Sequence, residues 1–215
     1  MERSRGLSDT PQVVNATAVW QLPFGDGKTF NPGNRIVRAL VSGYQLSGIY
    51  TYNSGIPLAI TSSGCVDPGQ SQCMPNFNPT FSGNARVNGK YGSGATARSS
   101  PSYININAFV DPSVGSSKVA ATAALYPNYT IGNLARTAPY GLRGPSSYDV
   151  DISLQRTIAI HEKYNIVLQA QAFNLTNVVI FNGPPVSTST ASTFGTVTGQ
   201  SNLSRDIQLE GRFTF

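Results

Sequence analysis

The stretch Tyr164-Asn165-Ile166-Val167-Leu168-Gln169-Ala170-Gln171-Ala172-Phe173 decides how the rest of the chain is read. Ile166, Leu168, Ala170 and Ala172 fall on one face, and Asn165, Gln169 and Gln171 on the other. A period of two is that of a strand; a helix repeats every 3.6 residues. Soluble strands average about 5 to 6 residues. A strand that crosses a bilayer at a tilt needs about 9 to 11. This one has the longer length.

Four further segments follow the same rule. In Val14 to Leu22, Val14, Ala16, Ala18, Trp20 and Leu22 oppose Asn15, Thr17 and Gln21. In Tyr44 to Tyr52, Tyr44, Leu46, Gly48, Tyr50 and Tyr52 oppose Gln45, Ser47 and Thr51, and the pattern runs on through Pro57 toward Ile60. In Tyr148 to Ile158, Val150, Ile152 and Leu154 oppose Asp149, Asp151, Ser153 and Gln155. At the C-terminus, Ile207, Leu209, Gly211, Phe213 and Phe215 oppose Gln208, Glu210, Arg212 and Thr214. One apolar and one polar face per strand is what a barrel with a wet interior requires. The aromatics Trp20, Tyr44, Tyr52, Tyr148 and Tyr164 stand near segment ends, as a girdle at the two membrane interfaces would.

The reading is therefore all-β: an antiparallel sheet of long strands at 13–23, 43–60, 148–159, 164–174 and 205–215. Five strands cannot close a membrane barrel, for which about eight is the minimum. The expected form is an open piece of a transmembrane β-barrel. The connections alternate in size. A tight turn, Ala159 to Lys163, joins the third and fourth segments, and Pro23 to Gly43 joins the first two. The stretches 61–147 and 174–204 read as long irregular outer loops. Short turns on one side and long loops on the other is the outer-membrane pattern. The best helical candidate is Ser117 to Leu125, stopped by Pro127.

Composition agrees with this class. Only 12% of residues are charged, and Gly (21) and Pro (14) are plentiful. The net charge of +5 is spread along the chain, with no basic run interleaved with aromatics. No nucleic-acid partner is expected. No apolar run is long enough for a transmembrane helix. The first residues carry no apolar export segment, which conflicts with the barrel pattern and leads to the expectation that Met1 is not the true start.

No constellation points to catalysis. His161 is the chain's only histidine; it stands in a tight turn beside Glu162 and Lys163 and reads as a solvated turn residue. No G-x-S-x-G elbow is present. Asp149 and Asp151 share a strand face and read as partners for Arg212 or water. Four Asn-x-Ser/Thr sequons, at Asn15, Asn128, Asn174 and Asn202, read as chance matches. No cofactor, metal ligand or enzymatic role is expected.

Trp20-Gln21-Leu22-Pro23-Phe24-Gly25-Asp26-Gly27-Lys28 is similar to the LPFGxGK strand and turn of the Oar-like TonB-dependent receptor family. Gly43-Tyr44-Gln45-Leu46-Ser47-Gly48-Ile49, then Ser54-Gly55-Ile56-Pro57-Leu58, is similar to its WQLSGI…SGxPF stretch, with Tyr44 where Trp is usual. Asn107-Ala108-Phe109, Gly132-Asn133, Arg143-Gly144-Pro145 and Tyr148-Asp149-Val150-Asp151 follow its NxxAF…GN…RGPGxxNxD run. Gln169 to Asn177 resembles its EAFNLTN strand end, and Phe194-Gly195 with Arg205 to Leu209 its FGxIT…RxIQL close.

The resemblance covers nearly the whole chain in order. It implies a 22-stranded barrel in the bacterial outer membrane, an N-terminal plug and energy from the TonB complex. Those regions would lie upstream of Met1, so TonB would be reached only through them. The expected partners of residues 1–215 are outer-membrane lipid, the barrel-assembly machinery and an extracellular ligand. Phe213 and Phe215 are candidates for the assembly signal, although Gly211 departs from its usual spacing. In an exported protein Cys65 and Cys73 are a candidate disulfide, worth about 2 to 3 kcal/mol at most. Two other readings stay open: a structural or adhesive surface protein, and a soluble β-sandwich carbohydrate-binding module. The soluble module predicts solubility without detergent. The barrel readings leave Leu46, Ile152, Leu168, Leu209 and Phe213 on an exposed face.

Overall fold

A computed structural model describes residues 5–62, 73–87, 102–110, 132–161, 164–197 and 199–215. In chain order the elements are β1 (Val13–Gln21), α1 (Arg35–Val41), β2 (Tyr44–Asn53), β3 (Asn76–Phe77), β4 (Phe109–Val110), β5 (Ser147–His161), β6 (Tyr164–Phe173) and β7 (Asp206–Thr214). The chain divides into two compact units. One is a strand unit of Gln12–Asn53, Tyr148–Val179 and Asn202–Phe215. The other is a loop unit of Met1–Pro11, Ser54–Ser147 and Ile180–Ser201.

The strand unit is one five-stranded sheet, ordered β1-β2-β5-β6-β7. β1 and β2 pair antiparallel, with Trp20 opposite Leu46 and Val14 opposite Tyr52. β5, β6 and β7 continue antiparallel, with Leu154, Ala170 and Leu209 on one rung. Gly43 approaches Thr157 while Gly48 approaches Asp151, so β2 and β5 also run antiparallel. Both short connections therefore fall at the same end of the sheet. β1 and β7 are its two edges.

Local chemistry sets the strand ends. Pro23 has no N–H to give to a ladder, and β1 stops just before Leu22-Pro23. β5 runs to His161, which pairs with Tyr164. Only two residues separate β5 from β6, fewer than the expected five-residue turn, and the register shifts between Ala159 and His161. β6 ends where Asn174 turns left-handed, at φ 47°.

That asparagine is buried and makes a clasp. Its N–H donates to Asp151 Oδ1, its amide donates to the carbonyls of Val178 and Leu203, and its Oδ1 accepts from the Val178 N–H. Asn177 Oδ1 accepts from the Arg205 N–H. The sequence Asn174 to Asn177 thus ties the end of β6 to the approach of β7.

The helix α1 was not anticipated. Asn34 caps it, accepting from the N–H groups of Ile36 and Val37. It ends at Val41 with Ser42 as its cap, and the next residue, Gly43, has φ 80° and a Cβ position 2.3 Å from the Thr157 carbonyl oxygen. Only glycine meets both conditions without strain. The candidate helix Ser117 to Leu125 lies outside the described residues.

β2 is shorter than the sequence pattern suggests. It stops at Asn53, and the residues up to Ile60 leave the sheet for the loop unit. Leu58 and Ile60 are buried there among Tyr103, Ile104, Phe109, Leu134, Leu142, Phe194 and Val197. The alternation through Pro57 is real, but it serves a different core. Among the described residues the long connections are mostly irregular, as expected, yet they share a core. This unit has a hydrophobic centre and a two-stranded β3–β4 sheet with Phe77 opposite Phe109.

Candidate functional site

The rungs of the sheet define two faces. On one, Val14 meets Tyr52, Ala16 meets Tyr50, Ala18 meets Gly48 and Trp20 meets Leu46. The same face carries Ile152–Ala172–Ile207, Leu154–Ala170–Leu209 and Ile158–Ile166–Phe213. On the other lie Gln21–Gln45, Ser153–Gln171–Gln208 and Gln155–Gln169–Glu210. The alternation is thus assembled into one apolar and one polar surface.

The apolar surface is not covered. Trp20 is 56% exposed, Leu209 82% and Phe213 55%. All eleven buried hydrophobic side chains among the described residues belong to the loop unit. Full burial of a large apolar side chain is worth roughly 1.5–3 kcal/mol. The strand unit gains little of this within the chain. A surface of this size left bare calls for an apolar surrounding.

The interface aromatics all fall on that face. Trp20, Tyr44 and Tyr164 stand at the end with the short connections, and Tyr52 and Tyr148 at the other. Tyr44 and Tyr52 are eight residues apart on β2. At ~3.3 Å per residue and a tilt of ~40°, that is about 20 Å along a membrane normal. An outer-membrane apolar band is about 25 Å tall. Phe213 stacks on Tyr164, with centroids 6.0 Å apart, and on Phe215. The assembly candidates therefore extend the girdle.

One charged residue shares the apolar face. Arg156 is level with Leu168, near the short-connection end. Its guanidinium lies 5.1 Å from the centre of the Tyr44 ring and donates to the carbonyls of Ser42 and Ala39. Its charge is turned toward the sheet's rim rather than its apolar middle.

On the polar face, Gln169 donates to Ser153 Oγ at 2.8 Å. A shallow recess there is lined by Ser47, Asp151, Ser153, Gln169, Gln171 and Phe173. Ile49 and Ile152 also line it, so the recess mixes amide and hydroxyl groups with apolar ones. An amide cannot take the proton of Ser153, so the pair is no nucleophile and base. The expected pairing of Arg212 with Asp149 or Asp151 does not occur: Arg212 meets Glu210 at 2.8 Å on its own strand. The Oδ1 atoms of Asp149 and Asp151 accept from the backbone N–H groups of Val150 and Asn174.

The loop unit is built from residues that sequence reasoning passed over. Arg143 donates to the carbonyls of Asp9 and Gly55 and meets Asp9 Oδ2 at 2.5 Å. Tyr103, almost fully buried, donates its hydroxyl to the Arg143 carbonyl at 2.8 Å. Burial pushes the Tyr103 hydroxyl above its ordinary value, and the nearby Arg86 guanidinium offsets part of that. Burial likewise raises Tyr140, whose ring packs edge-on against Phe77 and Phe109.

Asn76 and Asn133 form a reciprocal clasp. Asn133 N–H donates to Asn76 Oδ1, and Asn133 Oδ1 accepts from Phe77 N–H. At Gly55 a Cβ would lie 1.8 Å from the Gly144 carbonyl oxygen, so two strands of loop touch backbone to backbone. The signal for these residues was present in the motifs themselves. Gly55, Ala108, Phe109, Gly132, Asn133, Arg143, Gly144 and Phe194 all occur in them. Cys73 carries no free thiol, and its carbonyl accepts from Ser62 N–H at 2.8 Å. Its expected partner, Cys65, lies outside the described residues.

Among the described residues no helix is long and apolar enough to cross a membrane. A sheet of long strands, apolar on one face and polar on the other, is the wall of a β-barrel that crosses with strands. The chain belongs to the outer membrane beta barrel domain family, whose model matches residues 1–208. No curated protein and no solved structure matches it. The chain is a protein of the bacterial outer membrane, and the soluble sandwich module is set aside.

Proposed function

We propose that these residues form wall and outer loops of an Oar-like TonB-dependent receptor, with the loop unit binding ligand outside the cell. The observation that carries this reading is the double use of the motifs. The same residues that resemble the receptor family hold the loop unit together: Gly55 against Gly144, Asn133 against Asn76, and Arg143 against Asp9. An outer surface kept in one shape costs less to order on binding than a loose loop would. The recess around Ser153 and Gln169 faces the lumen in this reading.

The open edges support the remainder of the proposal. β1 and β7 present unpaired backbone groups, which a bilayer core does not tolerate. Further strands must pair with both, as in a larger barrel. The short-connection end is periplasmic, and the chain works as a non-enzyme. Phe213 and Phe215 are offered to the assembly machinery, and TonB acts through the plug of the larger protein. Cys65 and Cys73 close a local loop in the outer unit.

The test is an immunoblot of outer-membrane fractions from the native cells, with an antibody against the Cys65–Cys73 loop. A membrane band far above 22.8 kDa supports the receptor reading. A soluble band at the size of this chain contradicts it.

A further inference from the structure

The connection between β1 and β2 carries a second apolar surface that the barrel wall does not explain. In α1, Ile36, Val37 and Leu40 are exposed, at 72%, 43% and 60%. Their spacing places them on one side of the helix, with Arg35 and Arg38 on the opposite side. Two more exposed aromatics, Phe24 and Phe30, pack against each other in the preceding turn, with centroids 5.6 Å apart. Five large apolar side chains thus lie bare within a connection that an ordinary turn would fill with polar residues.

The charge of this connection is basic. Residues 22–43 hold Lys28, Arg35 and Arg38 against a single acid, Asp26. Asp26 is taken by Arg38, at 3.2 Å. Arg35 has no partner among the described residues. Lys28 reaches only the neutral amide of Gln21, at 3.2 Å.

The helix is also fixed to the lipid-facing side of the sheet. Arg156, which shares the apolar face with Leu154 and Ile158, binds the carbonyls of Ala39 and Ser42 at the end of α1. The same guanidinium stacks on Tyr44, a girdle residue. The C-terminal end of α1 is therefore held at the level of the girdle.

We infer that α1 is an interfacial anchor that lies on the phospholipid surface at the short-connection end of the barrel. Its apolar side enters the boundary between headgroups and acyl chains. Arg35 meets lipid phosphates, which an anionic phospholipid such as phosphatidylglycerol presents most densely. A helix with an apolar side and a basic side at an interface has this behaviour in general. The anchor would hold the β1–β2 end at a fixed depth, where Arg156 joins it to the wall.

The test uses the protein in its native outer membrane. A photo-crosslinking amino acid is placed at Leu40, at Arg35 on the opposite side, and at Leu209 on the barrel wall. After irradiation, adducts are identified by mass spectrometry. Leu40 is expected to give phospholipid adducts several-fold above Arg35, at a yield near that of Leu209. Protein adducts at Leu40 would overturn the inference in favour of a neighbouring polypeptide. An absence of adducts at Leu40, with lipid adducts at Leu209, would overturn it in favour of water. Loss of lipid adducts at Leu209 as well would instead remove the membrane wall on which the inference rests.

Discussion

The two units of this chain obey opposite rules for the same kinds of side chain. In the loop unit Ile60, Ile104, Leu134 and Val197 are almost wholly removed from water. In the strand unit Ile207 and Leu209 are mostly exposed. Yet it is the strand unit that has the regular hydrogen-bonded ladder, and the loop unit that has little repeating structure. Regular secondary structure and an aqueous hydrophobic core are separate properties here. The loop unit is organised against water. The sheet is organised for lipid, where backbone pairing is compulsory and side-chain burial within the chain is not.

The comparison breaks first under large-to-small substitution. Ile60→Ala should destabilise the loop unit by about 2–5 kcal/mol, because the cavity cannot collapse freely. Hydrogen exchange of the loop amides should register that loss, while the β5–β6 amides stay protected. Leu209→Ala should leave both unchanged. Equal effects at the two positions would erase the distinction between the units.

A charge sharpens it from the other side. Leu154→Arg, near the middle of β5 on the apolar face, should cost about 2–4 kcal/mol in a bilayer. Gln155→Arg, one residue along on the polar face, should cost far less. Urea titration of the protein in phospholipid vesicles compares the two. A smaller contrast is expected at Arg143, which ties Asp9 and Gly55 together within the loop unit. Arg143→Met should cost about 1.5–3 kcal/mol, the usual worth of hydrogen bonds to a charged group. Limited proteolysis should then cut the segment around Asp9 sooner, with the sheet left intact.

The smallest effect concerns pH. Burial raises Tyr103 above its ordinary value of 10.0, so the unfolded chain ionises it first. Its contribution is present in full below about pH 10 and is lost as pH rises through the folded-state value. The loop unit should weaken at high pH, and Tyr103→Phe should reduce that dependence, leaving the share of Tyr140. Loop hydrogen exchange followed against pH checks both.

The strands were legible in the sequence because their signal is local. Period two over ten residues survives without any knowledge of neighbours, and the polar rungs of Gln155, Gln169 and Glu210 follow from it. The end of β2 was not legible. Leu58 and Ile60 keep the alternation but belong to a core assembled with Tyr103, Phe109 and Phe194, from distant parts of the chain. No periodicity announces such a core. α1 was missed because seven residues make two turns at most, too few for a helical pattern to stand out. The clasp residues Asn133, Arg143 and Asn174 were visible as motif letters, but their partners were not. Each joins positions that only the fold brings together.

The central claim is that the apolar face meets lipid and the polar face meets water. Single cysteines at Ala170 and Gln171, in the full protein with Cys65 and Cys73 replaced by serine, test it in native outer membranes. A charged maleimide should label the Gln171 position and spare the Ala170 position, and a lipophilic maleimide should show the reverse preference. Equal labelling of both by the charged reagent, or the opposite order, would contradict the account.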